Sequence, residues 1–71
     1  MLKFKEGQTY ICTGASNEHL WWTVGKRYPV TIDEAMVLFA IQDDDGEFWY
    51  DYELNRIFSV RFKLKEENKN D

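Results

Sequence analysis

The sequence contains one cysteine, one histidine and one proline, and these scarcities exclude several kinds of protein. A single cysteine, Cys12, cannot form an intramolecular disulfide, and one Cys with one His cannot build a structural zinc site. No stretch approaches the ~20 apolar residues of a membrane-spanning helix, and the N-terminal MLKFKEG lacks the apolar region of a signal peptide. We therefore expect no cofactor or metal, no membrane, and a reducing compartment, the cytoplasm.

Basic residues are also scarce where they would matter for binding nucleic acid. The net charge is −4, and residues 36–71 carry nine acids against five bases, whereas residues 1–35 are balanced. Between residue 43 and Arg56 the sequence has six acidic residues and no Lys or Arg: Asp43, Asp44, Asp45, Glu47, Asp51 and Glu53. Because such a surface repels phosphates, nucleic-acid binding through a basic patch is disfavoured.

Aromatic side chains are abundant instead: three Trp, four Tyr and five Phe among 71 residues. A chain of this length forms one domain and buries little surface. Each aromatic side chain can bury roughly 150–250 Å². We therefore expect aromatic residues to compensate for the small size of the core.

Short apolar runs separated by turn residues predict an all-β chain. Thr23–Lys26 is expected to form a tight turn around Gly25, and Asp45-Gly46 predicts a hairpin with a type I′ turn. Pro29 lacks an N–H and predicts an edge or bulge position. The predicted strands are Gln8–Thr13, Arg27–Ile32, Met36–Gln42, Phe48–Tyr52 and Arg56–Leu64, with a short turn or single helical turn at Glu53–Asn55.

The segment after Ile32 has two interpretations. Thr31 and Glu34 match a capping box, which would begin a helix through Met36–Ile41. The β-forming residues of the run and the turn that ends it favour a turn followed by a buried strand. We prefer the strand.

Five short strands at regular spacing predict a small SH3-like or OB-like barrel over residues 1–64. Residues 65–71 are polar and lack an apolar anchor. They are expected to form a disordered, solvated tail.

Four stretches resemble a group of small bacteriophage-encoded SH3-like β-barrel proteins: Phe4–Cys12 (FKEGQTYIC), Thr23–Val30 (TVGKRYPV), Asp43–Glu47 (DDDGE) and Arg61–Leu64 (RFKL). The resemblance implies a phage or prophage product that acts in a bacterial cytoplasm. It implies no catalytic residue, because the shared positions are turns and core positions.

Three patterns that could carry chemistry have simpler interpretations. The acids at 43–47 do not match a calcium loop, because the alternate position before Asp43 is Ile41. Cys12, Ser16 and His19 are expected to be a small core thiol and loop residues rather than a nucleophilic site. Asp51 and Glu53 share one side of a strand, but a barrel this small offers little room for a substrate groove. We expect no enzyme.

Tryptophans are the informative residues. Neighbouring strand residues point to opposite faces, so Trp49 should point away from Phe48, Tyr50 and Tyr52. For the same reason one of Trp21 and Trp22 should be core and the other exposed. Exposed tryptophans beside carboxylates predict a protein-binding patch, which we assign to Trp22, Trp49, Asp43, Asp44, Asp45, Glu47 and Asp51. The competing interpretation is that packing buries both tryptophans.

The sequence therefore predicts a non-enzymatic interaction module, monomeric or homodimeric, that binds or inhibits a basic host bacterial protein. The alternative is a barrel that stacks single-stranded nucleic acid on exposed aromatics. The acidic charge disfavours that alternative.

Overall fold

The computed structural model describes residues 1–15, 21–57 and 59–67 and confirms an all-β chain with one short helix. Its elements are β1 (Gln8–Ala15), β2 (Arg27–Pro29), β3 (Thr31–Asp33), β4 (Leu38–Gln42), β5 (Phe48–Trp49), α1 (Asp51–Leu54) and β6 (Val60–Glu67). Within the described ranges, no helix has the length and hydropathy needed to cross a bilayer.

The strands form two antiparallel three-stranded sheets with the orders β2-β1-β6 and β3-β4-β5. Only Val30 separates β2 from β3, so the chain passes from one sheet to the other at that residue. Pro29 lies in β2 at the edge of its sheet, where its missing N–H removes no interior hydrogen bond. The predicted edge position is confirmed. Across the described residues the two sheets do not form a closed barrel.

Aromatic residues build much of the core, as composition predicts. Phe4, Tyr10, Trp22 and Tyr28 are buried together with Cys12 and Ile41. The Trp22 ring packs edge-on against Tyr28 and Phe62, with 4.9 Å between centroids in both pairs. Edge-to-face pairs at this distance add to the stabilisation from buried area.

The segment after Ile32 forms a turn and a strand, and the helical alternative is wrong. Asp33 is buried, and its Oδ1 accepts hydrogen bonds from the backbone N–H groups of Ala35 and Met36. This arrangement closes the β3–β4 turn. The strand begins at Leu38 rather than Met36, and its first two residues, Leu38 and Phe39, are exposed. The predicted burial therefore holds only for Ala40 and Ile41.

Both predicted glycine turns are present. The N–H of Lys26 donates to the carbonyl of Thr23, and Gly25 has a φ of 89°. In the β4–β5 hairpin the N–H of Gly46 donates to the carbonyl of Asp43, with a φ of 83° at Gly46 alone. The predicted type I′ turn is wrong, because Asp45 is not in the left-handed region. The left-handed Gly46 instead follows the two central residues of the turn, Asp44 and Asp45.

The last two predicted strands have different bounds. The strand that begins at Phe48 ends at Trp49, because α1 follows at Asp51. The final strand begins at Val60 and continues to Glu67, which pairs with Gln8. Residues 65–67 of the predicted tail thus belong to a strand. Residues 68–71 lie outside the described ranges, as do residues 16–20 of the predicted loop that includes Ser16 and His19.

Candidate functional site

The two adjacent tryptophans separate into one core residue and one exposed residue. Trp22 is buried, whereas Trp21 is 40% exposed. Neither residue lies in a strand, so strand alternation could not decide which one is inside. The assignment of Trp22 as a surface contact is wrong, because its side chain is buried and packs against the Tyr28 and Phe62 rings.

Trp49 is half-buried rather than directed away from the core. In the β4–β5 pairing Trp49 lies opposite Ile41, which is fully buried, so the face of β5 that carries Trp49 is directed inward. Its neighbour Phe48 is exposed. The Trp49 ring centroid lies 5.9 Å from that of Trp22 and 6.1 Å from that of Trp21. Trp49 therefore joins the core to the surface aromatic Trp21.

A concave surface of about 300 Å³ lies at this junction, and we call it the tryptophan groove. Three aromatic and three acidic side chains line it: Trp21, Phe48, Trp49, Asp43, Glu47 and Glu53. Aromatic faces and carboxylates both attract cations. The groove therefore suits a cationic group with an apolar stem, such as an arginine or lysine side chain.

Asp43 shapes this groove from within. The residue is 6% exposed, and its Oδ1 accepts hydrogen bonds from the N–H groups of Asp45 and Glu47, both at 2.9 Å. Its Oδ2 accepts from the indole Nε1 of Trp49 at 2.8 Å. Asp43 thus fixes the turn and the Trp49 ring. The expectation that Asp43 is an exposed contact residue is wrong.

Asp44 connects the turn to the loop that carries Trp21. The backbone N–H of Asp44 donates to the carbonyl of Trp21 at 2.8 Å. Its carboxylate accepts from Lys26 Nζ (2.6 Å), Thr23 Oγ1 (2.7 Å) and the Tyr28 hydroxyl (3.0 Å). The hydrogen bond from Lys26 is the largest cause that lowers the pKa of Asp44. The carboxylate therefore holds the segment from Thr23 to Tyr28 against the turn, and the backbone N–H of Asp44 holds Trp21.

The remaining predicted acids differ in their availability. Asp51 begins α1, and its Oδ2 accepts from the N–H of Phe4 at 2.9 Å, so it anchors the N-terminal segment. Asp45 and Glu47 are exposed on the β4–β5 turn. Of the predicted set, the surface contributors are therefore Trp49, Asp45 and Glu47.

Sequence reasoning missed three residues of the groove: Trp21, Phe48 and Glu53. The Trp-Trp pair signalled that one ring is exposed but not which one. Strand alternation with an outward Trp49 predicts an inward Phe48, but β5 has the opposite orientation and Phe48 is 38% exposed. Glu53 comes close because Tyr50–Asn55 turns as a helix, in which the Glu53 carboxylate accepts from the N–H of Tyr50.

Cys12 is a core residue, as predicted. It is 1% exposed, and burial raises the pKa of its thiol, so the reactive thiolate is disfavoured. Across the described residues, no three His, Cys, Asp or Glu side chains come together as metal ligands. That the chain is not an enzyme stays a prediction.

Comparison with known proteins gives no match to a protein-family model, a curated protein or a solved structure.

Proposed function

We propose that this chain is a non-enzymatic interaction module that binds a basic, partly apolar segment of a host bacterial protein in the tryptophan groove. The observation that carries the proposal is the juxtaposition of exposed Trp21 and Phe48 with the carboxylates of Glu47 and Glu53. Tryptophan anchors in desolvated pockets contribute most strongly to protein interfaces.

A cationic partner fits this groove for two reasons. Indole is the best aromatic surface for a cation, and such contacts strengthen when water is excluded. The Asp43 carboxylate accepts the indole N–H of Trp49, which increases the electron density of that ring and its attraction for a cation. Glu47 and Glu53 at the groove then pair with the charged end of the side chain.

The proposal extends to the fold and the origin of the chain. β2 and β3 are separated by one residue, and when they are counted as one bent strand the described part of the chain has five strands. We propose that these form a partly open SH3-like barrel of the bacteriophage-encoded kind that the sequence resembles. A phage product of that kind would meet its partner in the bacterial cytoplasm.

Binding of single-stranded nucleic acid is less compatible with the groove. Stacking platforms for bases combine aromatic side chains with basic residues that follow the phosphates. Here acids line the groove beside the aromatic rings.

The test compares wild type with Trp21→Ala and a control, Val24→Ala. Val24 is an exposed apolar residue near Trp21 in sequence but does not line the groove. Trp21→Ala keeps the backbone carbonyl that Asp44 contacts, so the fold should survive, as circular dichroism would verify. Each protein is titrated with an arginine- and lysine-containing peptide and an acidic peptide of the same length, followed by isothermal calorimetry.

We expect the wild type and Val24→Ala to bind the basic peptide and not the acidic peptide. A tryptophan hot spot contributes about 2 kcal/mol or more, so Trp21→Ala should weaken binding roughly 30-fold. A pull-down from nuclease-treated bacterial lysate with the same three proteins would then identify the natural partner. Equal affinity of wild type and Trp21→Ala would refute the groove as the binding site.

A further inference from the structure

The last strand, β6, lies at the edge of its sheet. In the order β2-β1-β6 it pairs with β1 on one side, and within residues 1–15, 21–57 and 59–67 no strand lies on its other side, which we call the free edge. The eight residues of β6 extend over roughly 27 Å. Natural proteins keep exposed edge strands short or cover them. An uncovered edge of this length therefore indicates a role beyond the fold.

The register of β1 shows which backbone groups face the free edge. The Cys12 N–H donates to the carbonyl of Lys26, and the Cys12 carbonyl accepts from the N–H of Gly25, so both groups point toward β2 and the turn before it. Phe62 lies opposite Cys12 in β6. Because two residues in such a pair direct their backbone groups apart, the N–H and carbonyl of Phe62 point to the free edge. Leu64, two residues along the same strand, has the same orientation.

A concave surface of about 560 Å³ lies along the same strand, and we call it the β6 groove. Its lining includes three alternate residues of β6, Val60, Phe62 and Leu64, together with Leu2 and Leu54 from the N-terminal segment and α1. Leu64 is 41% exposed there. In contrast to the tryptophan groove, none of the described residues that line it is acidic. A strand added beside β6 would place every second side chain in this groove.

The residues of β6 that alternate with the groove residues are basic. Arg61 and Lys63 are exposed, and neither makes an ion pair with another described residue. Two acids, Glu66 and Glu67, follow only at the end of the strand. Opposite charges on neighbouring strands stabilise a sheet and like charges destabilise it. The edge therefore favours an acidic strand over a basic one.

We propose that the free edge of β6 binds an extended segment of another protein in which apolar residues alternate with Asp or Glu. The segment pairs with the backbone groups of Phe62 and Leu64, its apolar side chains enter the β6 groove, and its acids lie beside Arg61 and Lys63. Strand addition of this kind obtains affinity from main-chain hydrogen bonds and specificity from alternate side chains. The inference does not depend on the proposed function, because the tryptophan groove is lined by other residues and attracts the opposite charge.

The experiment titrates the isotope-labelled full chain with a peptide in which Val alternates with Glu, and NMR follows binding and amide hydrogen exchange. A Val–Lys peptide of the same length tests the charge preference. Two further Val–Glu peptides are methylated on the backbone nitrogens of either Val or Glu, because alternate N–H groups of a strand point to opposite sides. Lys63→Glu reverses a charge at the edge, and Lys5→Glu is the matched control at an exposed lysine that does not line the groove.

We expect the amides of Phe62 and Leu64 to exchange rapidly in the free chain and slowly in the complex. The amide of Lys63 should be protected in both states, since Lys63 pairs with Ile11. Wild type and Lys5→Glu should bind the Val–Glu peptide equally, and Lys63→Glu should bind it roughly fivefold more weakly. The Val–Lys peptide should not bind, and only one of the two methylated peptides should bind.

Three results would overturn the inference. Slow exchange of the Phe62 and Leu64 amides in the free chain would show that the edge is already covered, by this chain or by a second copy. Failure of wild type to bind the Val–Glu peptide would exclude the proposed occupant. Equal binding of the two methylated peptides would show that the contact does not use main-chain hydrogen bonds on one side of a strand.

Discussion

Replacing Asp43 with alanine separates the role that the structure gives this acid from the role predicted by its place in an acidic turn. As a solvated contact residue it would contribute within about 0.5 kcal/mol to stability. The structure instead gives its carboxylate three hydrogen bonds, from Asp45 N–H, Glu47 N–H and the Trp49 indole. Asp43→Ala should therefore destabilise the fold strongly.

The magnitude follows from where each donor lies. A hydrogen bond to a charged group contributes about 1.5–3 kcal/mol. Because the Trp49 indole is half-buried, Asp43→Ala should lose most of this contribution from the Asp43–Trp49 hydrogen bond. The two backbone donors are in an exposed turn where water can replace the carboxylate, so they add about 0.5 kcal/mol each. We expect a loss of about 3 kcal/mol. A domain of this length has roughly 4–11 kcal/mol in total.

Urea unfolding followed by tryptophan fluorescence measures this loss, and a thermal melt should show a Tm lower by roughly 12–24 °C. Asp45→Ala, in the same turn but exposed, is the matched control and should change stability by less than about 0.5 kcal/mol. Asp43→Asn keeps one acceptor oxygen and should fall between the two. If Asp43→Ala is no less stable than Asp45→Ala, the structural role given to the Asp43 carboxylate is refuted.

Three further predictions concern other residues that the structure singles out. The hydrogen bond from Lys26 is the main cause that lowers the pKa of Asp44 from 3.8, so the Asp44 carboxylate stabilises the fold above pH 3.8 and this stabilisation is lost as the pH falls through the lower folded pKa. The stability of Asp44→Asn should therefore depend less on pH in acid unfolding, and the same pH dependence as wild type would contradict this role. The hydrogen bond to Asp33 raises the pKa of Tyr50 to about 12, so this hydrogen bond stabilises the fold fully below pH 10 and the stabilisation is lost as the pH rises through 12. In an absorbance titration, Tyr50→Phe should lack one tyrosine ionisation near pH 12 that wild type shows. Val37 has a φ of 55°, so Val37→Asn should stabilise the fold by about 1 kcal/mol by relieving left-handed strain, measured by urea unfolding, and a loss of stability would count against that strain.

Local patterns predicted those parts of the fold that depend on neighbouring residues in sequence. Gly25 and Gly46 mark tight turns because only glycine adopts a positive φ without strain. Pro29 lies in an edge strand because it lacks an N–H. The turn before Leu38 follows from Asp33, whose short side chain accepts backbone N–H groups just beyond it.

For the candidate site, the sequence predicted the types of residue but not which individual residues are exposed. The sequence indicated tryptophans beside acids at the β4–β5 turn, and the groove contains both. It assigned the surface role to Trp22 and the contact role to Asp43, and both residues are buried. An acid in a run of charged residues is expected to be exposed when its hydrogen-bond donors are unknown. The Trp49 indole donates to Asp43 only in the closed hairpin.

The sequence by itself determined the all-β composition, the turns, the aromatic core and the acidic charge, because propensity, backbone freedom and charge are properties of short segments. Only the tertiary structure decided which tryptophan is exposed, which face of β5 is inside and which apolar residues remain uncovered at the β3–β4 hairpin. Those outcomes depend on how two sheets pack. In that packing Trp22 lies against both Tyr28 and Phe62, while Met36 and Val37 extend beyond the core.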